Sequence, residues 1–212
     1  MIPNLIDTHF HLDFYKELKM PKQAIEIYEK AQKIYPESIY YTLEIIDLLI
    51  DIKDYDKAMQ IIEVFKNKHK NCAPVYNSLA RIYYRLQKLD LALESIKKYI
   101  ELDKNKAEAY YFQGLILNDL SEFAQAKTSL FNAIKFNPAE AKYYNQMARS
   151  YIGLNEYENA LLYAKEAIEI DQNEINYKKQ AYDISILLGN EEQIQNYKKQ
   201  LERSEKILKL KR

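Results

Sequence analysis

The chain has no tryptophan and few of the residues that interrupt regular structure. Its 212 residues include three glycines and five prolines. This scarcity argues against flexible linkers and low-complexity segments, because glycine and proline punctuate most loops. Cys72 is the only cysteine, so a disulfide within the chain is excluded. The 31 basic and 31 acidic residues cancel, and overall charge therefore gives no sign of a nucleic-acid or anionic-membrane partner.

Signals for membrane insertion and secretion are also absent from the sequence. No apolar run approaches the length of a transmembrane helix. The N-terminus lacks the basic segment followed by an apolar stretch that marks a secretory signal. We therefore expect a cytoplasmic protein without membrane insertion. The hydrophobic content of 48% suffices for an extended core, and with no visible boundary we predict one domain over residues 1–212.

Alanine recurs along the chain at a fixed spacing of 34 residues. The positions are Ala24, Ala58, Ala92, Ala126 and Ala160. A fixed period in this range indicates stacked structural repeats. With Leu5 as position 1, the register gives repeats 5–38, 39–72, 73–106, 107–140 and 141–174, followed by a degenerate capping repeat over 175–208.

Apolar residues within each repeat follow helical spacing. Tyr76, Leu79 and Tyr83 lie three, four and seven residues apart, as on one helix face. A polar break, such as residues 119–122, separates the halves, and Pro138 ends a second helix because proline cannot donate the next hydrogen bond. Each repeat is thus predicted to be two antiparallel helices joined by a tight turn. Small residues at positions 8 and 20, such as Gly114, are expected where the two helices cross.

This pattern resembles the tetratricopeptide repeat family over about residues 5–208. The fourth repeat carries it best, with Tyr110, Gly114, Leu117, Phe123, Ala126, Leu130, Ala133 and Pro138. The resemblance implies an all-α solenoid of antiparallel helix pairs wound into a right-handed superhelix. It also implies a non-catalytic scaffold or adaptor that binds a protein or peptide. Departures are Thr8 and Thr42 at the usually aromatic position 4, and the whole sixth repeat.

In this family, positions 2, 5, 9 and 12 of each first helix face a concave groove. The peptide-binding residues predicted on that basis are Asn77, Arg81, Tyr84, Tyr111, Asn118, Lys142, Asn145 and Arg149. Asparagine offers both donors and an acceptor to a peptide backbone, and arginine offers a fork of donors to a carboxylate. We expect an extended or helical peptide with an acidic group. The alternative is an ordinary solvated helix face.

Some family members bind the C-terminal Glu-Glu-Val-Asp tails of chaperones through a carboxylate clamp. The clamp requires lysine at position 5 and asparagine at position 9 of one repeat, then further residues in the next two. Position 5 of the five regular repeats holds His9, Leu43, Asn77, Tyr111 and Asn145. Gln146 replaces the arginine expected four residues after Lys142. We therefore expect no such clamp.

One segment favours a different class of function. Asp7-Thr8-His9-Phe10-His11-Leu12-Asp13 is similar to the N-terminal metal-binding segment of TatD-type deoxyribonucleases. Two histidines at this spacing chelate a metal only from extended backbone. The register predicts a helix over residues 5–18, where they lie about 200° apart. A complete barrel also needs ~250 residues, and His69 is the only further histidine.

We accordingly expect no catalytic residues, no metal and no cofactor. A metal-dependent hydrolase remains a remote alternative, and a structural subunit of a larger assembly is a nearer one. The chain is expected to be a monomer or weak oligomer with no small-molecule substrate or nucleic-acid partner. A polar C-terminal helix from about Glu191 carries an excess of basic residues and is predicted to cap the stack, since terminal repeats need a polar outer face.

Overall fold

The structure, a computed structural model, describes residues 20–69 and 71–210, with side chains up to residue 207. This part of the chain is built from eleven α-helices and contains no strand, which confirms the all-α prediction. The helices are α1 (Pro21–Ile34), α2 (Ile39–Asp51), α3 (Tyr55–Lys68), α4 (Ala73–Arg85), α5 (Leu89–Leu102), α6 (Ala107–Asp119), α7 (Phe123–Phe136), α8 (Ala141–Gly153), α9 (Tyr157–Ile170), α10 (Ile175–Leu187) and α11 (Glu191–Leu210). The predicted helix over 5–18 and the histidine motif over 7–13 lie outside the described residues.

Helix boundaries follow the 34-residue register closely. First helices begin at residues 39, 73, 107, 141 and 175, the first positions of repeats two to six. Their second helices begin at 55, 89, 123, 157 and 191, after breaks of only three residues. A break this short turns the chain back on itself, so each pair packs antiparallel as predicted.

The described helices fall into two compact units. The N-terminal unit ends at Leu102 and contains α1–α5, and the C-terminal unit begins at Asp103 and contains α6–α11. Ile46, Leu49 and Ile62 lie in the core of the N-terminal unit, and Leu161 and Ile184 in that of the C-terminal unit. No described helix combines the length and apolarity needed to cross a bilayer. The single domain over residues 1–212 stays a prediction.

Small residues mark the points where the two helices of a repeat approach each other. The five alanines of the 34-residue ladder, Ala24, Ala58, Ala92, Ala126 and Ala160, are all 0% exposed. A Cβ atom added to Gly114 on α6 would lie 2.5 Å from Cγ of Leu130 on α7. Leu130 is itself fully buried. The close approach of these two helices therefore depends on the missing side chain at position 8.

Every turn inside the described repeats uses a left-handed residue at position 15. Lys53, Gln87, Ser121, Asn155 and Gly189 have φ angles of 64°, 59°, 61°, 61° and 64°. The next residue then closes the helix end, as when the Glu122 amide donates to the Leu117 carbonyl at 2.8 Å. This is the Schellman arrangement, which favours glycine at the left-handed residue. The sequence did not predict this arrangement, because glycine occupies position 15 only in the sixth repeat.

We expect Gly114→Ala to lower the free energy of unfolding by about 1 kcal/mol. Overpacking at a filled crossing costs roughly 1–3 kcal/mol, and alanine's higher helix propensity offsets up to about 1 kcal/mol of that. Combining it with Leu130→Ala reproduces the Ala148–Ala164 pair found in repeat five. Urea denaturation should show the double variant less destabilised than the sum of the singles. Strictly additive effects would contradict the direct contact.

Backbone strain at position 15 leads to a second prediction. Ser121→Gly should raise the free energy of unfolding by about 0.5–1 kcal/mol, because a left-handed residue costs ~1–2 kcal/mol and the chain entropy of glycine offsets part of this. Gly189→Ala is the matched control. A Cβ at this residue meets no atom within 4 Å, so only the left-handed backbone strain acts, and the free energy of unfolding should fall by a similar amount. Urea denaturation measures both. Shifts in the same direction would argue against strain.

Candidate functional site

Three predicted groove positions meet at the N-terminal ends of α6 and α8 in the C-terminal unit. Lys142 Nζ lies 2.7 Å from Glu108 Oε1 and 5.2 Å from the centre of the Tyr111 ring. Burial disfavours the charge of Lys142, but its bond and attraction to Glu108 outweigh burial and raise its pKa above the ordinary value. The lysine therefore keeps its charge and pairs with a carboxylate of the previous repeat.

Tyr143 extends this cluster, although helical periodicity did not predict it. Its side chain is 0% exposed, and its hydroxyl donates to Glu108 Oε1 at 2.9 Å. The ring lies 5.1 Å from that of Tyr111. Burial, followed by the bond to Glu108, raises the pKa of Tyr143. Position 3 was not assigned to the groove, so only the structure identifies Tyr143 as the support beneath Tyr111.

Asn118 lies deeper than the other predicted binding residues. It is 1% exposed, and its amide donates to the backbone and side-chain oxygens of Gln146 at 3.0 and 3.2 Å. The Ser150 hydroxyl donates to Asn118 Oδ1 at 2.8 Å. Because both ends of the amide are used in the interior, Asn118 positions α6 against α8 rather than facing a ligand.

Asn145 and Arg149 lie further along α8 and also contact neighbouring repeats. Asn145 Nδ2 donates to Gln180 Oε1 at 2.6 Å, and Gln180 Nε2 donates back to the Asn145 carbonyl at 3.1 Å. Arg149 Nη1 lies 2.7 Å from Asp119 Oδ1, and its side chain is 41% exposed. The guanidinium thus remains accessible while one carboxylate neutralises it.

The N-terminal unit repeats this arrangement on α2 and α4. Arg81 Nη1 lies 2.6 Å from Asp47 Oδ1, and Nη2 lies 3.5 Å from Asp51 Oδ1. Burial raises the pKa of Asp47, and this outweighs the lowering by Arg81. Asn77 and Tyr84 are half-buried on the same helix as Arg81. Arg81 therefore faces two carboxylates, and the local charge is acidic.

The first-helix faces of the two units share one pattern of charge pairing. Each predicted cation pairs with an acidic side chain one repeat earlier in the chain, so the surface presents aromatic rings and amides with little net positive charge. Side chains aligned in this way can contact an extended polypeptide at several points. Within the ranges described, no group of three histidine, cysteine, aspartate or glutamate side chains could hold a metal ion.

Comparison with known families supports the repeat assignment directly. Two family models, both described as tetratricopeptide repeat, match this chain. One covers residues 17–82, and the other covers 73–106 and 141–174. The second model begins and ends at the boundaries that the alanine ladder gives for repeats three and five.

Two curated relatives match most of this chain but only a small part of their own length. The Hsp70-Hsp90 organising protein of Plasmodium falciparum (isolate 3D7) is 31% identical over 163 residues, covering 74% of this chain and 27% of the relative. The human protein O-mannosyl-transferase TMTC1 is 22% identical over 153 residues, covering 70% of this chain and 17% of the relative. The chain thus spans about a quarter or less of either protein.

Solved structures show the same fold. A crystal structure of MamA has a TM-score of 0.74 at 24% identity and covers 79% of this chain and 98% of its own. YrrB, a repeat protein with an unusual peptide-binding site, has a TM-score of 0.72 at 16% identity and covers 85% and 93%. MamA from Desulfovibrio magneticus RS-1 gives 0.74 at 17% identity, with 78% and 93% coverage. Repeat register, helix pairs and family matches agree, and the chain belongs to the tetratricopeptide repeat family.

Proposed function

We propose that this chain is a non-catalytic scaffold that binds a polypeptide segment on its first-helix faces. Tetratricopeptide repeats typically form protein–protein interaction scaffolds, and the fold shared with YrrB supports a peptide as the ligand class. The observation that carries the proposal is the row of half-buried side chains on α8, held at fixed spacing by bonds to α6 and α10. Side chains positioned in advance lose little entropy on binding.

In the C-terminal unit, the proposed contacts are Tyr111, Lys142, Asn145 and Arg149. Tyr111 supplies a rigid apolar surface at low entropic cost, and Tyr143 supports it from below. Asn145 presents its amide beside that of Gln180, which suits backbone groups of a peptide.

In the N-terminal unit, the proposed contacts are Asn77, Arg81 and Tyr84. The carboxylates of Asp47 and Asp51 beside Arg81 offset its charge. This face therefore attracts an acidic ligand less strongly than the face of the C-terminal unit does. The chaperone-tail clamp is not part of the proposal, because the clamp positions hold other residues.

An acidic group on the peptide is proposed to bind Arg149 in competition with Asp119. The pair is partly exposed, with side chains 41% and 23% accessible. Exposed ion pairs contribute only about 0–1 kcal/mol, so a ligand carboxylate can replace Asp119 at small cost. An incoming carboxylate that takes both guanidinium donors forms the stronger bidentate geometry.

Two variants test this competition with the strongest acidic peptide from an array, measured by fluorescence anisotropy. Arg149→Ala should weaken binding about tenfold or more, since it removes a charge-assisted bond. Asp119→Asn should tighten binding about threefold, because the competing carboxylate is lost. Lys198→Ala, on the exposed side of α11, removes the same charge and should change little. Weaker binding to Asp119→Asn would overturn the competition.

A structural subunit of a larger assembly is the second candidate function, and exposed apolar residues on second helices favour it. Phe131 and Leu162 are 60% and 55% exposed on α7 and α9, away from the proposed contacts. Light scattering after size-exclusion chromatography distinguishes the two: we expect the mass of a single chain for the scaffold. A defined oligomer that Phe131→Gln disrupts would favour assembly. The cytoplasmic location stays a prediction.

A further inference from the structure

A cavity of about 400 Å³ opens in the N-terminal unit, away from the positions assigned to the peptide. It lies between the end of α1, the start of α2 and the second half of α3, and its lining includes Gln32, Thr42, Ile61, Val64, Phe65 and Lys68. Its volume falls within the roughly 300–1,000 Å³ typical of ligand pockets. We call this cavity the Thr42 pocket.

The pocket coincides with a departure from the repeat pattern. Position 4 is a tyrosine in repeats three, four and five, at Tyr76, Tyr110 and Tyr144, but a threonine at Thr42 in repeat two. Thr42 is 6% exposed, and Gln32 Nε2 donates to its hydroxyl at 2.5 Å. Threonine is much smaller than tyrosine, so a ring-sized volume is left unfilled.

The neighbours of the three tyrosine rings define where that ring would lie. Lys66 Nζ, on the preceding repeat, lies 5.5 Å from the centre of the Tyr76 ring. The Tyr110 ring stacks 5.6 Å from that of Phe136. The third ring, that of Tyr144, lies 6.3 Å from that of Tyr163.

Lys66 is at position 28 of the repeat before that of Tyr76. Phe136 and Tyr163 are at positions 30 and 23 of the same repeats as their tyrosines. In repeat two, the corresponding residues are Gln32, Lys68 and Ile61. All three line the Thr42 pocket. The pocket therefore occupies the place that a tyrosine ring takes in the other repeats.

A second departure makes the pocket wall apolar. Val64 is 74% exposed, at a position that holds Lys98, Asn132 and Glu166 in the following repeats. Phe65 lines the same wall. Exposing a valine where the other repeats are polar has no benefit for folding, but it suits contact with an incoming apolar group.

We propose that the Thr42 pocket receives an aromatic side chain, tyrosine above all, from a partner polypeptide. The ring would pack on Val64 and Phe65 and take the place of the missing position-4 tyrosine. Gln32 would lie beside it, together with Lys68, whose ammonium is paired with Glu37 at 3.1 Å. The polypeptide origin of the ring rests on the proposed scaffold function. The preference for a ring rests on the pocket alone.

The test is an NMR titration of the full ¹⁵N-labelled chain with N-acetyl-L-tyrosinamide, with N-acetyl-L-alaninamide as the matched probe. The tyrosine probe should shift amides around Thr42 and Phe65 with a dissociation constant of the order of 1 mM, as for a ligand of this size. The alanine probe should leave them in place. Equal shifts from both probes would overturn the proposal.

Two variants bring the test to the pocket itself. Thr42→Tyr fills the site from within and should weaken binding of the tyrosine probe more than tenfold. Thr128→Tyr adds the same ring on an exposed turn of α7 and should leave binding unchanged. Val64→Glu alters an exposed side chain that folding does not require, and should weaken binding about tenfold. Unchanged affinity in both Thr42→Tyr and Val64→Glu would overturn the proposal.

A third probe, 4-ethylphenol, distinguishes a polypeptide side chain from a free small molecule as the source of the ring. Binding of 4-ethylphenol without binding of the tyrosinamide would make the pocket a small-molecule site and overturn the polypeptide partner. The acidic peptide that tests Arg149 should bind Thr42→Tyr as it binds the unaltered chain if it carries no aromatic residue. If Arg149→Ala did not weaken binding of the acidic peptide, that result would therefore count against the proposed peptide-binding face and not against the pocket.

Discussion

Close approach of helix backbones at the position-20 alanines, and at the small position-8 residues of repeats three to five, is the constraint on which this structure depends. A Cβ on Gly114 would lie 2.5 Å from the buried Leu130, and the alanines of the ladder are fully buried. Interiors packed this densely tolerate little extra volume. Fixing where two helices cross also fixes which residues of the first helix point outward. The spacing of surface side chains is thus decided in the interior.

Polar bonds between neighbouring repeats add a second level of order. The ion pairs Arg81–Asp47 and Arg149–Asp119 each join residues that lie about one repeat apart in the sequence. Exposed pairs of this kind contribute little to stability, so their main effect is to hold the side chains in place and to balance charge. The proposed ligand would meet a surface whose cations already have partners. Its affinity would then depend on exchange of ion-pair partners rather than on unpaired charge.

The sequence predicted the helices well, because one packing requirement repeats every 34 residues. Helix starts at 73, 107 and 141 follow directly from the ladder. The left-handed turns were not predictable in the same way, since Ser121 and Gln87 adopt a conformation usually signalled by glycine. The burial of Asn118 and the pairing of Arg149 were hidden too. They depend on contacts between repeats, whereas helical periodicity describes one helix at a time.

The strained turns have a consequence for how such a protein changes over evolutionary time. Their position-15 residues are exposed and lie apart from the side chains proposed to meet ligands. The stability of stacked repeats is close to a sum of local contributions, so a substitution at one turn shifts the stability of that repeat by a small increment. Five such positions allow thermal tolerance to be adjusted in steps while recognition stays constant.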